Sequence, residues 1–529
     1  MTLSNIGARL TAPLSVVFIL ALISLPIVGL ISGAVNPTEN PFHPHSANLR
    51  HVLTQAGVWV LLFNTFSIAI TTSIFALLIG SWFAWIEQRG LYWGRKTFSL
   101  FSLLPLAVPS YLLAGTLRET FGKHFTGFIP TVIVLTLITV PYVQLIVSAT
   151  LARLSRHEEE AARTLGQTPW QVFYSIVLPQ LRPGLAFAWL LIQLYVISDF
   201  GAIAILDYPA LTWRLYQAVS LQQLDYAIIL GAFLLLLTLP VLVIRRWIQS
   251  RIQQNLTSGN PQPPQPHKLS LSTKIISYLL HAFVIGLGFL LPIIALMKWV
   301  IQGISQHRIF APLWEPIYHT TVIALTGTFF ILLVAFVPAW ISARKHSQLH
   351  WRLRWITEQS IYFINALPGI LVAFGLLLAA LSFSRMITEG GYYYGWLLKS
   401  GLLLLLGYTL RFLPNAHANL KTAILLLRPH LWDNARLLGS TRWRWFWHIA
   451  IPALKPGLSA AFILVLLSII KELPITLLLG NAMGLHTLSF RIFDRYQEAF
   501  LHDAGLAGLV ILSLSVSCVL LTRSWRRYA

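Results

Sequence analysis

The residues of this 529-residue chain best suited to chemistry lie where an ionisable group is costly. Asp199 sits in Ser198-Asp199-Phe200-Gly201 and Glu472 in Lys471-Glu472-Leu473-Pro474, both inside long apolar runs. A charge in hydrocarbon costs at least about 2.5 kcal/mol, so such groups face a protein interior or an aqueous path and are functional candidates by default. Two carboxylates at that depth can attract a cationic solute or work a gate. Lys471 beside Glu472 equally allows a plainer role, in which the pair satisfies itself and only holds helices together. His43, His45 and His51 cluster in one polar loop. Histidine is a common metal ligand, but three loop histidines are more often solvated, and no metal site is expected. The single cysteine, Cys518, leaves no disulfide or thiolate cluster within one chain. No G-x-x-x-x-G-K-[ST] run occurs, since Gly122-Lys123 lacks the earlier glycine. Energy for any work must come from outside this chain. No Ser/His/Asp or His/Glu constellation suggests an enzyme, and no cofactor is expected on it.

The elements that must position these residues are membrane helices. Hydrophobic residues make up 56% of the chain and charged ones only 10%, against about 25% charged in a soluble domain, and the mean hydropathy is +0.70. About 20 apolar residues cross a bilayer. That length predicts twelve spans, near 11–33, 57–85, 98–118, 127–150, 185–206, 225–246, 274–300, 317–342, 358–383, 394–418, 458–480 and 503–522. The first run exceeds the roughly 7–15 residues of a cleaved signal and reads as a retained span. Trp and Tyr suit the interfaces, as in Tyr392-Tyr393-Tyr394. The net charge of +21 lies in short loops rather than on one face, which argues against nucleic acid. With the N-terminus inside, most of the 38 basic residues, Arg411 and Lys421 among them, fall on the cytoplasmic side. The bias places both termini in the cytoplasm.

The two halves are repeats. An offset of 273 aligns Arg163 with Arg436, Gly166 with Gly439, Trp170 with Trp443, Phe173 with Phe446 and Pro179 with Pro452, and 13 of 26 positions over 160–185 are identical. It also maps Asp199 onto Glu472. Offset 255 pairs Thr65 with Thr320 and Trp85 with Trp340; offset 277 pairs Arg214 with Arg491. The predicted fold is an all-α polytopic membrane protein. It has two tandem six-helix repeats, 1–248 and 274–529, related by a pseudo-two-fold axis along the membrane normal. A Pro/Gln-rich cytoplasmic linker, 249–273, joins them.

The best-matched stretch is a polar loop after the fourth span of each half. Glu160-Ala161-Ala162-Arg163-Thr164-Leu165-Gly166 is followed after nine residues by Ile176-Val177-Leu178-Pro179. The second copy runs Asp433-Asn434-Ala435-Arg436-Leu437-Leu438-Gly439 to Ile449-Ala450-Ile451-Pro452. Each reads as a helix stopped at glycine. In the first copy Thr168 caps a second helix with Pro169 at its first position, and Pro179 ends it. Trp170, Phe173 and Ile176 give that helix an aromatic face, as on a docking surface.

This pattern resembles the EAA loop of permease subunits of binding-protein-dependent ABC importers, and the resemblance covers essentially the whole chain. It implies that Glu160, Ala161, Ala162, Gly166 and Pro179, with Asp433, Asn434, Ala435, Gly439 and Pro452, form coupling helices. Each would seat in one of two copies of a separate ATPase subunit, while an external binding protein delivers the solute. Asp433 and Asn434 depart from the motif and shorten the reach of the second contact. Asp199-Phe200-Gly201 and Lys471-Glu472-Leu473-Pro474 are most similar to the ferric-iron permeases. Thiamine, polyamine and sulfate importers share the remaining features. A secondary transporter would not need paired docking loops.

Overall fold

The computed structural model describes residues 3–35, 56–152, 154, 156–254, 267–343, 348–387, 392–427 and 431–526. The three loop histidines and the Pro/Gln-rich stretch 255–266 of the linker lie outside them. Among the described residues ten helices are long and apolar enough to cross a membrane, and a bent pair makes eleven if it counts as one span. The helix Leu402–Leu425 matches the tenth expected span, with Arg411 in its interior. The polar join shrinks at both ends. The sixth span continues as helix to Gln254, and His267–Lys268 pairs as a short parallel strand with Gly90–Leu91.

Four spans expected as continuous are broken. The third is split into Arg95–Ala107 and Ser110–Phe121 with a 97° bend. Pro109 forces Val108 into an extended conformation (ψ 124°), because the ring at the next position clashes with the α region. The ninth breaks the same way at Leu367-Pro368, between Gln348–Ala366 and Gly369–Ile387. The fifth ends at Ser198, and its counterpart, the eleventh, ends at Ile470. Hydropathy registers apolar length and passes over such breaks.

Pro179 and Pro452 do not end helices. Each lies in the first turn of a span helix, Leu178–Ser198 or Ile451–Ile470, directly after a π-helical turn at Phe173–Val177 or Phe446–Ala450. Proline removes one N–H and crowds the carbonyl four residues back, and a π-turn absorbs that clash without stopping the helix. Pro292 repeats the device after Gly286–Leu290. Pro169–Ser198 is therefore a single 30-residue body, about 45 Å long.

The repeat extends to individual hydrogen bonds. Thr65 Oγ1 accepts from Leu211 N at 3.0 Å, and Thr320 Oγ1 from Leu488 N at 2.8 Å. Thr212 Oγ1 donates to Asp199 O at 2.8 Å, and Ser489 Oγ to Glu472 O at 2.7 Å. Gln222 and Ala499, related by the offset of 277, both take positive φ, 60° and 61°.

The two halves interlock. The first span, Leu3–Val35, packs along Gly369–Ile387 of the second half. The seventh span, reaching Leu291–Ser305, packs on Ser110–Phe121 of the first. Small residues permit the approach. A Cβ on Gly29 would stand 2.0 Å from Gly375 O, and one on Gly375 would stand 2.5 Å from Pro26 O. Ser32 Oγ and Ser382 Oγ meet at 2.8 Å in the same seam. On the opposite seam a Cβ at Gly288 would meet Pro105 Cγ at 2.9 Å. The repeats of the sequence are thus not separate packing units.

Candidate functional site

Two regions carry the residues singled out by the sequence. The first is the pair of loop segments. Arg156–Thr164 ends in a glycine turn at Gly166, φ 84°, closed by Gln167 N–H donating to Ala162 O at 3.1 Å. Gly439 has φ 76°, with Ser440 N–H donating to Ala435 O at 2.9 Å. This six-to-one bond satisfies a free helix carbonyl and needs the left-handed conformation that glycine adopts without strain. The next helix starts as expected: Thr168 and Gln171 form a reciprocal capping box.

Ala162 and Ala435 are buried against the body, while Glu160, Ala161 and Asn434 face outward. Leu165 is 82% exposed and Leu438 88%, and beyond each glycine Trp170 and Trp443 are 69% and 72% exposed. Each glycine is thus flanked by an exposed leucine and tryptophan at repeat-equivalent positions. The inner faces are also matched. Phe173 packs edge-on against Trp85 at 5.5 Å, and Phe446 against Trp340 at 6.3 Å.

One anchoring residue escaped the motif reading. Glu159, not Glu160, turns inward and receives both terminal nitrogens of Arg89 at 2.5 Å. The side chains are 5% and 6% exposed, and the guanidinium stacks over Trp85 at 4.6 Å. The signal was present in the helical period, since Glu159 and Ala162 are three apart and share the buried face. Leaving Arg89 unpaired in that setting costs about 3–5 kcal/mol. Glu159→Gln is therefore expected to lower the thermal unfolding temperature measurably, and by more than the same change at the exposed Glu160 does. Equal unfolding temperatures for the two variants would contradict the assignment.

The second region lies at the breaks in the fifth and eleventh spans. Asp199 Oδ1 accepts from Ala202 N at 3.0 Å and so caps Gly201–Ile205. Glu472 accepts from Ile475 N at 3.0 Å and from Thr476 N at 3.2 Å, capping the turn that follows. Both residues are 8% exposed. Each break also meets the helix that starts after a span-breaking proline. A Cβ on Gly201, two residues beyond Asp199, would stand 3.2 Å from Ser110 Oγ, and one on Gly369 would stand 3.2 Å from Glu472 Oε1. Lys471 does not pair with Glu472. Its Nζ donates to Leu106 O of the other half at 2.6 Å.

Arg411, counted by sequence among the cytoplasmic charges, belongs instead to this interior region. It donates to Leu367 O at 2.9 Å and lies within Coulombic reach of Glu472, Asp199, Tyr195 and Tyr142. The halves also meet at Phe200, next in sequence to Asp199, and Phe493, 5.7 Å apart, and Trp213 and Tyr216 stack on each other at 5.8 Å.

Comparison with known proteins finds two matches to the family model described as binding-protein-dependent transport system inner membrane component, over residues 76–254 and 339–528. Among curated proteins, the Fe(3+)-transport system permease protein FbpB 2 of Haemophilus influenzae is 26% identical over 472 residues, covering 88% of this chain and 90% of that protein. The ferric transport system permease protein FbpB of Actinobacillus pleuropneumoniae is 22% identical over 76% of this chain and 61% of its own length. The sulfate transport system permease protein CysT of Escherichia coli is 28% identical over 44% of this chain and 90% of its own length.

Proposed function

The chain belongs to the family of binding-protein-dependent transport system inner membrane components, and from that premise we propose that it is the path by which ferric iron crosses the membrane. It is a multi-pass membrane protein and the permease of an ABC importer. The observation that carries the proposed coupling role is the matched geometry of the two loop segments. Each holds a left-handed glycine between an exposed leucine and an exposed tryptophan, and each is clamped by a phenylalanine to a tryptophan of its own half. On this reading they are EAA-type coupling helices. Each docks one of two ATPase subunits, which hydrolyse ATP, while an external binding protein delivers the solute. The 30-residue helix from Pro169 to Ser198 then links the docking site to the Asp199 cap as one rigid body.

The choice of iron rests on layout. The ferric permeases match across most of this chain, including both repeats, whereas the sulfate permease matches 44% of it. The test is ATP-driven uptake in proteoliposomes holding this chain, its ATPase and its binding protein. Radiolabelled ferric citrate is expected to accumulate, and accumulation of sulfate, thiamine or a polyamine in its place overturns the reading.

The proposed topology places both termini and the 249–273 join, which separates repeats 1–248 and 274–529, in the cytoplasm. Cys518 is free and buried, so Cys518→Ser supplies a background for single-cysteine labelling. Ser4→Cys and Ser258→Cys are expected to resist an impermeant thiol reagent in intact cells and to react after lysis. Labelling of position 258 from outside contradicts the topology.

A further inference from the structure

We propose that the meeting point of the two halves is a transit site for a hard trivalent cation. Its donors are the carboxylates of Asp199 and Glu472 and the phenols of Tyr111, Tyr142 and Tyr195. The guanidinium of Arg411 is the tethered counter-cation that the passing ion displaces. The inference rests on the ferric reading above and assigns the residues that would serve it.

The donor chemistry comes first. Carboxylate and phenol oxygens are hard ligands, suited to small, highly charged ions rather than to soft metals. Asp199 and Tyr195 lie within Coulombic reach of each other, and the Tyr195 and Tyr142 rings stand 5.9 Å apart. Tyr111 adds an independent sign. It is 4% exposed, and its hydroxyl has no hydrogen-bond partner. Its ring packs against Gly201, the first residue of the helix that Asp199 caps, and it lies within Coulombic reach of Glu472. A buried tyrosine hydroxyl usually finds a partner, and leaving one unpaired is unfavourable. A cation held at the Glu472 carboxylate would supply the missing contact.

Arg411 gives the site its selectivity. The repeat does not require it, since the equivalent position in the first half is Ile138. It is held by a carbonyl, and among the described residues it makes no direct ion pair with either carboxylate. It therefore balances their charge from nearby without covering their oxygens. Attraction to a fixed charge scales with the charge of the incoming ion. A trivalent ion outcompetes one tethered positive charge, whereas a monovalent ion gains little by replacing it.

The test uses the full permease–ATPase complex in nanodiscs with terbium(III), a hard trivalent ion whose luminescence tyrosine sensitises. Arg411→Gln is expected to tighten terbium binding at least tenfold. The double variant Asp199→Asn/Glu472→Gln should weaken it at least tenfold, and Tyr111→Phe several-fold. Size-exclusion profiles establish that each variant is folded. Terbium affinity that is the same in all variants, or weaker in Arg411→Gln, overturns the proposal. Iron uptake separates the two levels. If the unaltered complex accumulates iron and the carboxylate double variant does so at the same rate, the transit site is wrong and the ferric reading stands. If the unaltered complex accumulates sulfate or thiamine and no iron, the ferric reading itself fails.

Discussion

Gly166→Pro and Gly439→Pro are each expected to bring solute-stimulated ATP hydrolysis of the assembled transporter to its background rate while the chain remains inserted and folded. At φ 84° and 76°, both positions lie far from the −65° that proline demands. A Cβ at either site meets nothing within 4 Å, so the damage is confined to the path of the backbone. Proline at 166 also removes the N–H that donates to Arg163 O at 3.0 Å. The turn must open, and the exposed Leu165 and Trp170 on its two sides then lose their relative placement. The alanine variants give a graded series, with a penalty of about 1–2 kcal/mol for the left-handed conformation. Gly484 is the control, because it too is left-handed, φ 66° and ψ 20°, with open space around it. Gly484→Ala carries a similar backbone penalty away from the loops and should leave coupled hydrolysis intact. Solute-stimulated hydrolysis at the unaltered rate in both proline variants would remove the coupling role from these segments.

Gly29→Val is expected to cut the yield of monodisperse protein below about a tenth, through a backbone clash in a close-packed interior. The atoms that a Cβ would strike are Gly375 O at 2.0 Å and Ala379 N at 2.7 Å, both main chain. No side chain can rotate to relieve the contact, and overpacking of even an adaptable core costs about 1–3 kcal/mol. Gly57→Val, where nothing lies within 4 Å, should express normally. Gly288→Val on the opposite seam should fall between the two, because it presses on the Pro105 ring rather than on backbone. Normal yield of Gly29→Val would show that the first span does not pack on the ninth.

The sequence carried the repeat well because repetition is a comparison of residues at fixed offsets. Those offsets reappear as bonds, with Thr65 and Thr320 accepting equivalent N–H groups and Gly166 and Gly439 sharing one turn. Four features were not legible, each for its own reason. Proline signals a local conflict, and its neighbours decide the outcome: Pro109 and Pro368 break a span, while Pro179 and Pro452 are absorbed by π-turns. Asp199 and Glu472 drew attention as charges, and their work as caps for the next turn needs the break to be known first. Arg411 looked like a loop residue because hydropathy cannot tell the end of a span from a polar pocket inside it. The exchanged packing of the first and seventh spans was invisible, since nothing local in Pro26–Ser32 points to Gly375.

That exchange imposes a schedule on biosynthesis. At about 5–20 residues per second, the roughly 350 residues between Gly29 and Gly375 take on the order of 20–70 s to synthesise. Throughout that interval the first span is already in the bilayer with the groove of Pro26, Gly29 and Ser32 filled by lipid. Its proper neighbour is still messenger RNA. The molecule closes only when the ninth span arrives and displaces those lipids, so any pause in translation between the two prolongs a half-built state. In that state the groove is open to the ninth span of another copy, and two chains made side by side on one polysome can exchange first spans before either is finished.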